Sequence, residues 1–355
     1  MKSISGSGIS AKPLTQLVFK YLGLARGCAE SAAETVIVCP EEETLVAPAF
    51  YLDGQTDRVT GVADHSSFDL ESIRIAGGLC RQGATIAYRI ENSFFSGGRL
   101  YTHRLQNAQG AQRKRKLIAK VTDDLETAVL PLSYFAAIYF GHMVFDGGAT
   151  ALMAQSFGES YIDRQVAKDT SGHVGRYWQL FGLNFTAVRD VRIRDAWIFE
   201  DRGMNSHKAA RLKTLSARVR ALPGTRSGHG VFIRRRGWGT HRAPSNEAEL
   251  EDYFAARDYE IIDPSQMSVD DMVARIRGAQ NLVGVEGSGM THGMLAMAPD
   301  TTVVMLFPPW RFNNMMKDYA DGLGMRYGFV VGKGGQDDYE VDPEEILRTI
   351  ELAGQ

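Results

Sequence analysis

The sequence predicts an α/β protein whose second half folds as a parallel sheet covered by helices on both faces. From residue 230 onward, short apolar runs alternate five times with segments whose apolar residues recur at helical spacing. Strands that alternate with helices in this way form parallel sheets. At 355 residues, with 44% hydrophobic and 23% charged residues, the chain is also long enough for two globular domains.

The predicted strands and helices of the second half follow one another closely. In chain order the strand and helix sequences are GVFIRRR and NEAELEDYFAAR, YEIID and VDDMVARIRGA, NLVGVE and GMTHGMLAMA, TTVVMLF and NNMMKDYADGL, and RYGFVVG and PEEILRTIEL. Asn246, Ser268 and Asp342 stand where helix N-caps are expected. Ligands of such sheets bind beyond the carboxyl ends of the strands, so residues that follow strands are the first candidates for a site.

The first half of the chain has weaker patterns. LTQLVFKYLGLA has helical spacing, and TVIVC, TLVAPAFYL, GATIAYRI and RLYTHRL predict short strands. Its three cysteines, Cys28, Cys39 and Cys80, form no C-x-x-C pair, which favours a reducing compartment over a disulfide or zinc scaffold. No apolar run marks a signal peptide, and we therefore expect a cytoplasmic protein.

A strongly basic segment runs from Arg202 to Asn246. It contains eleven Lys or Arg and no Asp or Glu, whereas the whole chain has 40 basic and 42 acidic residues. Arg234, Arg235 and Arg236 end a predicted strand, and clustered guanidinium groups at such a junction are suited to a phosphate or carboxylate. A solvated basic surface is the alternative.

A glycine-rich turn, Glu286-Gly-Ser-Gly, joins the third predicted strand to its helix. Gly287, Ser288 and Gly289 allow close backbone approach, and a helix N-terminus there favours a diphosphate. The turn is neither a Walker loop nor G-x-G-x-x-G, and a tight turn needed only for packing is the alternative. Glu286 either orients a ligand hydroxyl or holds the loop, and His292 is either a structural donor or a ligand contact.

Two polar residues, His142 and Asp146, interrupt an apolar stretch of the first half. Residues four apart share one face of a helix. Such a pair is a buried hydrogen-bonded pair, two ligands of a metal site, or a general base with its supporting group. The neighbouring sequence offers no further metal ligand, and the stretch Thr127 to Phe145 is interpreted as buried core because it is too short and too polar to span a membrane.

The composition gives little support for nucleic-acid binding. The net charge is −2, and the basic segment lacks the evenly interleaved aromatic residues of single-strand binders. A second basic cluster, Arg113-Lys114-Arg115-Lys116, is either a solvated loop or a contact with an anionic lipid or acceptor.

Taken together, these residues resemble glycosyltransferase family 61, which includes bacterial capsular-polysaccharide transferases. The resemblance is carried by Gly141, His142 and Asp146 in the first half and by Arg235, Arg236, Arg242, Asn246, Glu247, Gly287, Ser288 and Gly289 in the second. Many members have a His where this chain has Glu286, and residues 1–130 carry no matching motif.

The resemblance implies a GT-B fold, in which two Rossmann-like domains face each other across a cleft. We expect an N-terminal acceptor-side domain at 1–203 and a nucleotide-sugar-binding domain at 204–342, with the helix 343–355 packing back on the first domain. It also implies an inverting transfer without a metal or cofactor, from a nucleotide-diphosphate sugar to a glycan or lipid-linked glycan, as in capsule biosynthesis. A peripheral membrane contact would suit the lipid-linked acceptor.

The same resemblance implies roles for the candidate residues. Asp146 is the expected general base, with His142 supporting it or exchanging roles with it. Donor binding is assigned to Arg235, Arg236, Arg242, Glu286, Gly287, Ser288, Gly289 and His292. The alternatives are a pyruvyl transferase on a similar fold, which would bind a phosphoenolpyruvate anion, and a non-catalytic nucleotide- or glycan-binding module.

Overall fold

The structure is a computed structural model that describes residues 8–110, 114–169, 172–224, 228–237 and 242–354. Arg113 and Arg226 of the two basic clusters, and residues 238–241 of the glycine-rich loop after Arg236, lie outside these described residues.

The elements are numbered in chain order. The strands are β1 (Ile9–Ser10), β2 (Glu34–Cys39), β3 (Glu42–Val46), β4 (Gly78–Gln82), β5 (Thr85–Ser96), β6 (Arg99–Tyr101), β7 (Gln106–Ala108), β8 (Ala119–Lys120), β9 (Asp123–Leu130), β10 (Tyr161–Asp163), β11 (Thr186–Val188), β12 (Val191–Glu200), β13 (Gly230–Ile233), β14 (Tyr259–Ile262), β15 (Asn281–Val285), β16 (Thr302–Phe307) and β17 (Arg326–Val331). The α-helices are α1 (Lys12–Tyr21), α2 (Cys28–Ser31), α3 (Phe68–Ala76), α4 (Phe140–His142), α5 (Gly148–Ala154), α6 (Arg164–Asp169), α7 (His173–Leu180), α8 (Ser206–Arg220), α9 (Glu247–Ala255), α10 (Val269–Ile276), α11 (Met290–Ala296), α12 (Met315–Leu323) and α13 (Pro343–Leu352). Short 3₁₀ turns at Thr56–Arg58 and Phe135–Ala137 and a π-helical turn at Met143–Gly147 complete the set.

The chain divides into two compact units. The first contains residues 1–42 and 82–211, and the second contains residues 43–81 and 212–355. This division differs from the predicted boundary at 203/204, because residues 43–81 of the first half fold with the second. The helix α13 packs on β16 and β17 of its own unit through Ile346, which differs from the predicted return to the N-terminal domain.

The second unit has the predicted parallel α/β architecture. Its sheet has the order β14-β13-β15-β16-β17, every adjacent pair is parallel, and a helix follows each strand. The strand order reverses beside β13, which pairs with both β14 and β15. The carboxyl ends of β13 and β15 are therefore neighbours at the switch point, where ligands of open parallel sheets bind.

Local interactions explain where several of these elements begin and end. Ser268 and Asp342 cap α10 and α13 as predicted, accepting hydrogen bonds from the amides of residues 271 and 344. Asn246 precedes α9 without capping it, because its side chain instead bonds both the amide and the carbonyl of Val341. The strand β13 ends at Ile233. The Arg234 amide still donates to the Ile262 carbonyl of β14, and the amides of Arg235 and Arg236 then bind the Glu247 carboxylate instead of a strand.

Residues 43–81 are fastened to the second unit at several points. Phe50 forms a parallel bridge to Gly328 of β17, and the Lys317 ammonium donates to the Ala47 carbonyl at 2.6 Å. Arg58 makes two hydrogen bonds to the Glu345 carboxylate, at 2.6 and 2.7 Å, and a third to the Val331 carbonyl at 2.9 Å. These contacts join residues roughly 270 to 290 positions apart in sequence.

The described residues of the first unit do not form the predicted Rossmann-like sheet. In its described part, the main sheet has the order β7-β6-β5-β12-β9 with β2 also on β5, and only the β12–β9 pair is parallel. An apolar core of this unit includes Tyr88, Ile90 and Phe95 of β5. The prediction of two Rossmann-like domains is therefore wrong for this unit, because its strands follow one another mainly as antiparallel neighbours.

The stretch from Thr127 to Phe145 is only partly core. Val129, Leu130 and Phe145 are buried, but Phe135 and Tyr139 are exposed. Within the described ranges, no helix has the length and apolarity that crossing a membrane requires.

Candidate functional site

The first unit holds His142 and Asp146 on one face of a helix, as predicted. The helix runs through α4, the π-helical turn and α5, and the His142 Nδ1 atom lies 2.6 Å from Asp146 Oδ2. Gly147 sits inside this turn, where a Cβ atom would lie 3.0 Å from Leu132 Cδ2 and 3.4 Å from Ala136 Cβ. A π-helical turn re-aims the side chains on it, and such turns are frequent at functional sites.

The second oxygen of Asp146 binds Lys208, which projects from α8. The Lys208 ammonium lies 2.6 Å from Asp146 Oδ1 and 2.8 Å from the Asp201 carbonyl, and only 1% of this residue is exposed. Burial alone would raise the pKa of Asp146, but the charge of Lys208 and the hydrogen bond from His142 outweigh burial and hold that pKa well below its usual value. Asp146 is therefore a carboxylate with both oxygens engaged.

Asp201 anchors α8 beside this pair. Its carboxylate receives two hydrogen bonds from Arg211, at 2.8 and 2.9 Å, and one each from Thr85 and Thr150. Burial raises the pKa of Asp201, but the hydrogen bonds from Arg211, the charge of Lys208 and the hydrogen bond from Thr85 lower it overall. The result is a satisfied polar network that holds Lys208 in place.

Chemically, this arrangement resembles other carboxylate–imidazole pairs. A carboxylate that accepts from one ring nitrogen fixes the tautomer of the imidazole and leaves the other nitrogen as the proton acceptor. The side chains of His142 and Asp146 remain 23% and 21% exposed, so a small ligand can reach them.

The second unit brings Arg235, Arg242 and Glu286 together at the switch point. Arg242 forms an ion pair with Glu286 Oε2, and Arg311 lies 2.8 Å from the same oxygen. Two guanidinium groups thus share one carboxylate oxygen in a largely buried setting. Such an excess of positive charge favours an anionic ligand.

Arg235 lies against the glycine-rich turn. It is 5% exposed, and a Cβ atom at Gly287 would overlap its guanidinium group. Gly287 has φ +147°, a conformation that glycine adopts readily. Burial, and then the charge of Arg242, lower the pKa of Arg235 to about 10, and burial also lowers the pKa of Arg242.

The loop after β13 owes its shape to Glu247. Its carboxylate accepts from the amides of Arg235 and Arg236, at 2.8 and 2.6 Å, and burial raises its pKa. Glu247 thus turns the chain at the strand end and directs Arg235 inward.

Arg236 is not brought into this cluster. Its side chain is half exposed and lies 3.2 Å from Glu251 on α9, while its neighbour Arg234 lies 3.1 Å from Asp263. These are surface ion pairs and account for the two side chains without a ligand.

The backbone amides after Glu286 are less available to a ligand than the sequence predicted. The amides of Met290, Thr291 and His292 donate to the carbonyls of residues 287, 288 and 289 at 3.1 to 3.2 Å, so these three amides are already used. Ser288 is partly exposed, and His292 is 2% exposed within α11. Glu286 itself holds two arginines.

Among the described residues, no group of three or more His, Cys, Asp or Glu has an arrangement that could hold a metal ion.

Two residues of these clusters were missed by the sequence analysis. Arg311 follows β16, so the rule on carboxyl ends of strands would have pointed to it. Lys208 was counted only as one charge of the basic segment, and no local pattern relates it to Asp146, 62 residues earlier.

Comparison with known proteins agrees with the resemblance. Residues 140–304 match the family model described as Glycosyltransferase 61. The matched region begins just before His142 and includes Arg235, Arg242 and Glu286, whereas Arg311 lies beyond its end. A comparison with the curated proteins finds no match.

Proposed function

Residues 140–304 match glycosyltransferase family 61, a match that supports transferase activity, and we propose that this chain moves a sugar from a nucleotide-activated donor to a glycan hydroxyl group. The observation that carries the proposal is the sharing of Glu286 by Arg242 and Arg311 beside Arg235, at the carboxyl ends of neighbouring parallel strands. The transfer proceeds with inversion and without a metal ion.

Donor binding is assigned to the second unit. The departing nucleoside diphosphate carries the charge that develops in the transition state, and fixed guanidinium groups stabilise such charge. Arg235, Arg242 and Arg311 supply these guanidinium groups, and the backbone of Gly287 to Gly289 lies beside them. Glu286 keeps two of the arginines aligned before the donor binds. Arg236 is left out because Glu251 engages its side chain.

The proton acceptor is assigned to His142, with Asp146 as a positioning residue. Both Asp146 oxygens are engaged and its pKa is held low, which makes this carboxylate a weak base. His142 takes the acceptor hydroxyl proton, the acceptor oxygen forms a bond to the anomeric carbon, and the bond from that carbon to the diphosphate oxygen breaks. One displacement of this kind inverts the anomeric centre.

Ligand binding and product analysis test this function. Nucleoside diphosphates should raise the melting temperature, whereas stabilisation by phosphoenolpyruvate alone would favour a pyruvyl transferase. With a donor that binds, release of the diphosphate and transfer to a glycan acceptor should occur in the presence of a chelator, and NMR should find the opposite anomeric configuration in the product. Tight nucleotide binding without donor breakdown would instead indicate a binding module.

A further inference from the structure

A basic pocket lies in the first unit, at one end of its main sheet. Its wall includes Arg99 at the start of β6, the run Lys114, Arg115 and Lys116, and Arg189 and Asp190 just before β12. Five cationic residues and one carboxylate thus belong to the described lining of this pocket. This pocket contains the described part of the second basic cluster noted in the sequence.

Asp190, the carboxylate in the described lining of the pocket, already has binding partners within the protein. Asp190 lies 2.9 Å from Lys116 and 3.2 Å from Arg189, and it accepts from Ser96 at 2.6 Å. Arg115 bonds the side-chain amide oxygens of Gln16 and Gln106, which are neutral. Among the described lining residues, Lys114, Arg115, Lys116 and Arg189 thus outnumber the one carboxylate even when Arg99 is left out of the count, and this excess of positive charge favours anionic groups.

Exposed apolar side chains continue from this pocket. Leu117 and Ile118 follow the basic run directly and are 44% and 52% exposed. Ile9 is 66% exposed on β1, which pairs with β8 so that Ile9 lies opposite Lys120.

The helix α1 extends the same surface. It is joined to the basic run by the hydrogen bond from the Leu14 amide to the Leu117 carbonyl and by the contact of Gln16 with Arg115. Val18 and Tyr21 of this helix and Leu22 directly after it are exposed, and Tyr21 and Leu22 lie three and four residues from Val18. These neighbouring segments carry exposed apolar and cationic side chains, and the surface that they form is here called the α1–β8 face.

We propose that the α1–β8 face docks on an anionic lipid surface. A bilayer interface accepts apolar side chains at the boundary of its acyl region and attracts lysine and arginine to its phosphate groups. A soluble anion would use the pocket but would not cover the apolar residues around it.

The docking face is separate from the proposed catalytic pair. The pocket lies at the Val191 end of β12, whereas Asp201, whose carbonyl binds Lys208, follows the other end. A ten-residue strand places these ends roughly 30 Å apart. Lipid docking is therefore independent of the transfer reaction, and either proposal can fail alone.

Vesicle co-sedimentation of the full chain tests the proposal. The protein should pellet with phosphatidylcholine vesicles that contain about 30% phosphatidylglycerol, and it should bind phosphatidylcholine alone at least about tenfold more weakly. Two double variants should each weaken binding to the anionic vesicles about tenfold or more: Leu117→Ser with Ile118→Ser, and Lys114→Gln with Lys120→Gln. These four side chains avoid the Asp190 ion pairs, so the fold should be retained by circular dichroism.

Matched controls come from elsewhere in the chain. Leu45→Ser with Leu79→Ser removes two exposed leucines of the second unit, and Arg194→Gln removes an exposed charge from the middle of β12, where it pairs with Glu126. All controls should bind like the wild type. The proposal is overturned if the protein does not bind anionic vesicles, or if the control variants lose as much binding as the test variants. It is also overturned if inorganic phosphate releases the protein from the vesicles while sodium chloride at the same ionic strength does not. If the wild type is an oligomer and the double substitution Leu117→Ser with Ile118→Ser dissociates it, the α1–β8 face is instead a contact between copies of this chain.

Discussion

The Lys208 ammonium lies 2.6 Å from Asp146 Oδ1, on the opposite oxygen from the one that binds His142. Asp146 is thus held between a buried cation and an imidazole, which keeps it ionised and fixes the orientation of the ring. Because of this arrangement, His142 rather than Asp146 is the proposed proton acceptor, and Lys208 supports the proposed catalytic pair.

Replacing Lys208 with Met should remove that support. The change deletes a buried charge partner, and we expect the free energy of unfolding to fall by about 1–3 kcal/mol at pH 7. Because the Lys208 charge lowers the folded pKa of Asp146, the stability that this pair contributes is fully present above the unfolded pKa and is lost as the pH falls from there through the folded pKa, so wild type and variant should converge in acid. Urea unfolding at several pH values measures this. Lys213→Met, on an exposed position of the same helix, is the control, and an equal loss there would contradict the role of Lys208.

His142 and Asp146 should behave as one catalytic unit. His142→Ala and Asp146→Asn should each lower kcat by about 10²–10⁴, and the double variant should lose little more than either single one. Nucleotide binding, measured by calorimetry, should be unchanged in all three. Additive losses in the double variant would indicate that the two residues act separately, and loss of nucleotide binding would remove the assignment altogether.

Arg242 and Arg236 should differ in donor binding although both follow β13. Arg242→Ala removes a guanidinium group from the Glu286 cluster and should weaken nucleoside diphosphate binding about tenfold to a hundredfold. Arg236→Ala removes a surface ion pair with Glu251 and should change binding less than about twofold. Calorimetric titration of both variants measures the contrast. A larger effect of Arg236→Ala would restore the sequence-based assignment of that residue to the diphosphate.

Glu345 should stabilise the second unit in a pH-dependent way. The hydrogen bonds from Arg58, with those from Gln55 and Lys333, lower its pKa from 4.5 to about 2. Its stabilisation is therefore present above about pH 4.5 and is lost as the pH falls through 2. After allowance for solvent screening, Glu345→Gln should cost about 1–2 kcal/mol at pH 7 and less than half of that near pH 3.

Amide hydrogen exchange in β17, next to the Arg58 contact with the Val331 carbonyl, reports this stability locally. Glu351→Gln, at an exposed position of the same helix, is the matched control. A difference between wild type and Glu345→Gln that does not vary with pH would show that the carboxylate charge is not the cause.

The sequence predicted the second unit far better than the first. Five strand–helix repeats predict a parallel sheet, and the residues after β13 and β15 could be recognised as site candidates because ligands bind beyond the carboxyl ends of such strands, whereas the order of the strands was not predicted. The His142–Asp146 pair was also predictable, because a helix brings residues four apart together. Short strands of the first half carry no comparable signal, since apolar alternation is the same in parallel and antiparallel pairs.

The remaining site contacts depend on distant parts of the chain. Lys208 reaches Asp146 from another helix, and Arg311 reaches Glu286 from the segment that follows the next strand, so both pairs arise from packing. The inward direction of Arg235 and the outward direction of Arg236 are decided by the Glu247 carboxylate beneath their amides, which residue composition alone does not reveal.

The membership of residues 43–81 in the second unit sets a schedule for biosynthesis. This segment leaves the ribosome early, but Gly328 and Glu345, which fasten Phe50 and Arg58, are translated roughly 280 residues later. At ordinary elongation rates that interval is on the order of tens of seconds. During this time the Phe50 side chain must remain exposed to solvent or be covered by a chaperone. The nascent chain cannot complete the second unit until its final helix has emerged.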